Sequence, residues 1–159
     1  MKLTILAASV TVIGTLPAFA QSYDVDITAT GQAENFFEAL SGDLMVTRSG
    51  STIDNFQGLE GTPLEGATGR CFGATMFVNG VPDGLGNCVF EDQNGDRILQ
   101  AWTVDTFVDG VSYGTWRFVG GTGAHEGVTG RGHFERETVG LTGANTTRII
   151  GVASWPEAR

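Results

Sequence analysis

The sequence predicts an all-β fold: a closed antiparallel up-and-down barrel of about eight strands. Three observations carry this. Apolar and polar residues alternate with a period of two, and after residue 40 no segment sustains a helical period. The alternating runs end in clusters such as Asn79-Gly80-Val81-Pro82-Asp83-Gly84, Gln93-Asn94-Gly95-Asp96 and Asp109-Gly110, which supply the positive φ that tight hairpins require. Glycine is also abundant, 24 of 159 residues, and Gly69, Gly73, Gly114, Gly130, Gly132 and Gly151 fall inside strands. Glycine there marks bends in a tightly coiled sheet, which favours a barrel without exposed edges over a two-sheet sandwich.

Residues 1–20 read as a cleavable signal peptide: one basic residue, Lys2, an apolar stretch from Leu3 to Leu16, and Ala18-Phe19-Ala20 ahead of Gln21. The stretch is shorter than the ~20 apolar residues of a membrane span, and nothing later resembles one. Residues 21–159 are expected to form one barrel domain, free of the membrane and periplasmic or secreted. Strands are expected at Tyr23–Thr30, Leu44–Ser49, Thr52–Leu59, Ala67–Val78, Asn87–Glu91, Arg97–Phe107, Ser112–Val119, Gly130–Val139 and Thr146–Trp155, with a short helical turn over Ala33–Leu40.

The chain holds 9 basic and 18 acidic residues. Loss of Lys2 with the leader leaves 8 arginines against 18 acids, a net charge of −10. Such acidity disfavours nucleic acid and anionic membranes as partners. The two cysteines, Cys71 and Cys88, predict a disulfide in an exported protein rather than a metal site, because no further Cys or His stands at ligand spacing. Closing that loop adds ~3 kcal/mol by the loop-entropy model.

Several motifs invite chemistry and are answered more simply by structure. Glu91-Asp92-Gln93-Asn94-Gly95-Asp96 gathers carboxylates around a turn, but its glycine falls in the wrong place for an EF-hand, and Asn-Gly is a hairpin signal. His133 shares a strand face with Arg131, Glu135 and Glu137, as expected of a solvent face with Phe134 turned inward. Arg70 and Arg148 stand among apolar residues; buried, they would need a carboxylate such as Glu91 or Glu135. No G-x-S-x-G is present, and Asn145-Thr146-Thr147 fits a glycosylation acceptor only formally.

The most distinctive segment, residues 114–132, runs strand, glycine-packed turn, strand: Gly-Thr-Trp-Arg-Phe-Val-Gly-Gly-Thr-Gly-Ala-His-Glu-Gly-Val-Thr-Gly-Arg-Gly. A phosphate cradle would need a helix after the glycines, and a strand follows. The segment resembles the turn of the allene oxide cyclase and dirigent superfamily, in which GGTG and a later glycine join two late strands of an eight-stranded barrel. Gly120-Gly121-Thr122-Gly123 and Gly130 match, while His125 stands where an aromatic is usual and Val128-Thr129 replaces a common Ala-Arg. The chain also resembles small exported bacterial proteins with a similar GTW-x-F-V-GGTG segment after a cysteine pair. The resemblance implies a barrel that holds a small hydrophobic molecule and steers its cyclisation or coupling without a cofactor or metal, and that can form a homo-oligomer.

Two strands supply the candidate ligand-binding residues. Ile98, Gln100, Trp102, Val104 and Thr106 share one face of the Arg97–Phe107 strand, and Trp116 and Phe118 share one face of the next. Aromatics with a few fixed polar groups suit a small-molecule pocket, so Trp102, Trp116 and Phe118, with Gln100 as polar handle, are the expected site. The alternative is a non-catalytic structural or protein-interaction barrel whose interior is filled.

Overall fold

The computed structural model describes residues 20–140 and 142–156. The predicted signal peptide, apart from Ala20, lies outside the described residues. The described residues form nine strands: β1 (Gln21–Ala39), β2 (Leu44–Ile53), β3 (Asn55–Gln57), β4 (Thr68–Val78), β5 (Val81–Glu91), β6 (Arg97–Val108), β7 (Val111–Gly121), β8 (Thr129–Thr138) and β9 (Thr142–Trp155), with a single 3-10 turn among them at Gly123–His125. All pairings are antiparallel and run β2-β4-β5-β6-β7-β8-β9-β1. The pairing of β1 with β2, from Ala33↔Ser51 to Ala39↔Met45, closes the ring. The result is an eight-stranded barrel, with β3 laid against Thr28–Thr30 of β1 as a short ninth strand.

Local chemistry explains the hairpins. Asn79-Gly80 and Asp109-Gly110 have positive φ at both residues, 53° and 78°, and 52° and 85°. This is the turn whose twist matches that of the strands it joins. The loop from Asp92 to Asp96 is longer. There the Asp92 carboxylate accepts the backbone N–H groups of Asn94 (2.8 Å) and Asp96 (3.0 Å), a local Asx arrangement that fixes the turn.

The structure corrects four expectations. Ala33–Leu40 is not a helical turn: Ala33–Ala39 is the upper part of β1, because its pairing with β2 outweighs the helical preference of Ala, Glu and Leu. The segment Val81–Gly84 is not a long turn but the start of β5, and only Asn79-Gly80 turns. The expected Thr52–Leu59 strand is divided: Thr52 and Ile53 end β2, and Asp54 breaks the run by giving its N–H to the Thr30 carbonyl at 2.9 Å. Arg70 and Arg148 are exposed. Arg148 pairs with Asp26 on β1 through two hydrogen bonds of 3.0 and 3.1 Å, not with Glu135. Glu91 meets Arg97 at 2.8 Å.

The barrel has two unlike halves. At one end the segment between β3 and β4 contributes Leu59, Leu64 and Ala67 to a core with Ile98, Trp116, Val128 and Trp155. Aromatic rings fill this end, with Trp116–Phe118 centroids at 5.1 Å, Phe118–Trp155 at 6.1 Å and Tyr23–Trp155 at 5.4 Å. Such tilted and edge contacts add to the area that the rings bury. At the other end lie the tight turns, and there the barrel is open. Among the described residues no helix is long and apolar enough to cross a membrane.

Candidate functional site

Strand parity decides what the interior contains. On β6, Ile98, Gln100, Trp102 and Val104 point inward as expected. A register shift between Val104 and Thr106 then reverses the parity. Thr106 is therefore exposed, contrary to the expected face, and Phe107 lines the barrel mouth instead. On β8 the inward residues are Phe134, Arg136 and Thr138, and His133, Glu135 and Glu137 are exposed.

These walls enclose an inner chamber of about 110 Å³. It opens through shared wall residues, Asn35, Ser49, Thr75, Val104, Ser112 and Thr138, into a vestibule of about 640 Å³ at the mouth. Phe37, Met45, Phe77 and Phe107 rim the vestibule, with Phe77 and Phe107 edge to face at 5.7 Å. The upper half of the barrel is hollow.

Trp102 shapes the chamber because its neighbours on the β5 side have no side chains. Gly86 lies beside it on β5 and Gly73 beyond that on β4. A Cβ at either glycine would run into the indole ring of Trp102. The ring thus lies flat across two strands and forms part of the wall. The same two strands carry Cys71 and Cys88, directly opposite each other, joined as the expected disulfide and facing the chamber.

Of the expected ligand-binding residues, Gln100, Trp102 and Trp116 line the chamber together. The Trp116 indole N–H donates to the Ile150 carbonyl at 3.1 Å, which holds the ring in place. Phe118 does not reach the chamber. It packs below it, bounding a space of about 40 Å³ with Tyr23, Phe56 and Trp155.

The polar side of the chamber was not among the expected residues. Asn35, Ser51, Arg136 and Asn145 project into it, and their Oδ1, Oγ, Nη2 and Nδ2 atoms respectively are buried without a hydrogen-bond partner. These four are all the orphaned side-chain atoms among the described residues, and one cavity holds them all. Buried polar groups are ordinarily paired, so four orphans on one wall make this cavity the candidate site. Arg136 takes part in none of the ion pairs of the described residues. Burial lowers its pKa from the usual arginine value. The parity that sends Phe134 inward also sends Arg136 inward, and that was the available signal.

A second polar cluster lies at the packed end. His125, fully buried, sits between the Asp92 carboxylate (Nε2 to Oδ2, 3.1 Å) and the Trp155 indole nitrogen (to Nδ1, 3.0 Å). The neighbouring Asp96 carboxylate accepts the Ala124 N–H at 2.9 Å. The Asp92 and Asp96 carboxylates are thus engaged within the fold, tying two loops and the last strand together.

The chain is thus a closed antiparallel β-barrel, packed at one end and hollow with a polar wall at the other. Its fold is similar to that of a dirigent protein of known structure. The chain superposes on a pterocarpan synthase dirigent protein with a TM-score of 0.52 over 87% of this chain and 88% of that one, at 12% sequence identity. No protein-family model matches the sequence, nor does any curated protein.

Proposed function

We propose that this protein is an exported barrel that binds a small, largely hydrophobic molecule in its upper half. The observation that carries the reading is the coincidence of the cavity with all four orphaned polar atoms of the described residues. A barrel evolved only to be filled would replace or pair such groups, because a polar atom left unpaired in a packed interior costs about 1–3 kcal/mol. Chamber and vestibule together also exceed the ~300 Å³ low end of ligand sites, which weighs against the filled-barrel alternative.

The described lining of the chamber includes hydroxyls, amides and one guanidinium but no carboxylate or imidazole. That set can hold and orient a molecule, and it lacks an ordinary general base. Any turnover in this reading is therefore guided by shape, as in a cofactor-free cyclisation or coupling. The disulfide fits an oxidising compartment outside the cytoplasm.

Trp102→Ala tests the assignment. It removes a ring that lines the chamber and packs against the core, and we expect it to lower affinity for a neutral solvatochromic dye such as Nile red at least tenfold while the far-UV spectrum and a cooperative melt show a folded barrel. Unchanged affinity would place the binding site elsewhere. Native mass spectrometry of protein from its own host reports a retained ligand and the subunit number together; the exposed Phe36, Phe72 and Leu85 on the outer wall make a homo-oligomer part of the proposal.

A further inference from the structure

We propose that the ligand is an aryl carboxylate: a single aromatic ring seated in the inner chamber with its carboxylate held by Arg136 and Asn145. This rests on the cavity reading above and specifies the chemistry of the molecule bound there.

The ring follows from shape. The inner chamber, about 110 Å³, is comparable to the ~150 Å³ apolar cavity that takes up benzene. Its floor and walls are Trp102, Trp116, Phe90, Phe134 and the Cys71–Cys88 disulfide. Flat aromatic walls offer offset and edge contacts to a flat guest.

The carboxylate follows from charge. The chain is strongly acidic, with 18 acidic against 9 basic residues, yet the one charged side chain facing the chamber is a guanidinium. Arginine 136 lies on β8 opposite Ser112 and Thr147, one inward position beyond Phe134 towards the mouth. A ring on the floor would thus place a substituent beside it. Arg136 is half-buried, its Nη2 is wholly buried, and it has no acidic partner, so an anion supplied from outside the chain would complete it. Guanidinium donors form a planar fork that suits carboxylate, and the orphaned Asn145 Nδ2 adds a third donor on the neighbouring strand. No side chain of the chamber competes for these donors as an anion.

The test uses Nile red as the neutral reporter of cavity occupancy, with 3-phenylpropionate and its uncharged analogue 3-phenylpropanamide as competitors. In the wild-type protein the acid should displace the reporter at no more than one tenth of the amide concentration. In Arg136→Met that preference should vanish, with the amide unaffected. The unliganded variant should melt no lower than wild type, because it loses an unpaired buried charge and keeps an apolar stem. Equal competition by acid and amide, displacement by neither while the reporter binds, or a preference that survives in Arg136→Met overturns the carboxylate assignment and leaves the cavity reading standing. A variant that melts well below wild type or fails to fold makes Arg136 structural and overturns it as well. Failure of the reporter itself to bind wild-type protein removes both readings.

Discussion

Trp155 fixes the chemical state of His125. An indole N–H can only donate, so the Nδ1 it meets at 3.0 Å must be an acceptor, and the proton of the neutral ring sits on Nε2, where it donates to Asp92. Burial alone would raise the Asp92 carboxyl, but the N–H groups of Asn94 and Asp96 and the His125 ring outweigh it and hold its pKa below the ordinary carboxylate value. A carboxylate depressed in the folded state stabilises the fold above its unfolded pKa, about 3.9. That contribution is lost as pH falls through the lower folded value. Asp92→Ala should therefore cost about 1–3 kcal/mol at neutral pH, since it leaves the buried His125 Nε2–H unpaired and removes two turn hydrogen bonds. It should also flatten the fall of the urea midpoint below about pH 4, an acid limb that wild type must show. A wild-type midpoint that does not fall there would mean that Asp92 is not the ionised acceptor. The turn chemistry of Asp92 was legible in the sequence; the burial of His125 was not, because its partners lie 33 and 30 residues away and only barrel closure brings them together.

At the scale of the element, glycine carried two meanings that composition alone could not separate. In Asn79-Gly80 it makes the turn; at Gly84 and Gly86, just beyond, it makes room inside a strand, for Thr75 and for Trp102. The clustering of both kinds with Pro82 and Asp83 is why β5 reads from sequence as a long turn. Pairing with β4 and β6 settles it as strand. Gly86→Ala separates the meanings experimentally. A methyl there collides with both the Trp102 ring and the Phe72 carbonyl, and we expect a loss of about 1–3 kcal/mol, the usual range for overpacking. The same change at Gly80 meets no atom, and its cost is set only by its positive φ of 78°. Thermal melts of the two variants distinguish them: Gly86→Ala should also alter Trp102 near-UV ellipticity, and Gly80→Ala should not. The β6 bulge is a similar case, since period-two reading carried Thr106 inward and one extra residue sends Phe107 there instead.

For the whole molecule, the barrel was readable because closure demands only alternation, short turns and many strands, all of which are local features. The cavity lining was half readable. Gln100, Trp102 and Trp116 stand out as apolar or amide residues on an inward face, whereas Asn35, Ser51, Arg136 and Asn145 look like solvent-facing polar residues until closure turns them inward. The consequence is a division of stability along the barrel axis. The packed end buries Ile27, Ile149, Ala153 and Trp155 among aromatic rings, while the open end surrounds the chamber with unpaired polar groups. Local opening draws on regions with few buried apolar contacts. Amides of β1 and β2 around Asn35, Ser49 and Ser51 should thus exchange with solvent by openings well below the global unfolding free energy, and those around Ile27 and Ile149 only near it. Saturation with a cavity ligand such as Nile red should slow exchange chiefly at the open end, since binding stabilises the closed form by mass action. Uniform protection of both ends in the unliganded protein would show that the hollow half is held rigid without a guest, and that the orphaned groups of the chamber do not loosen it.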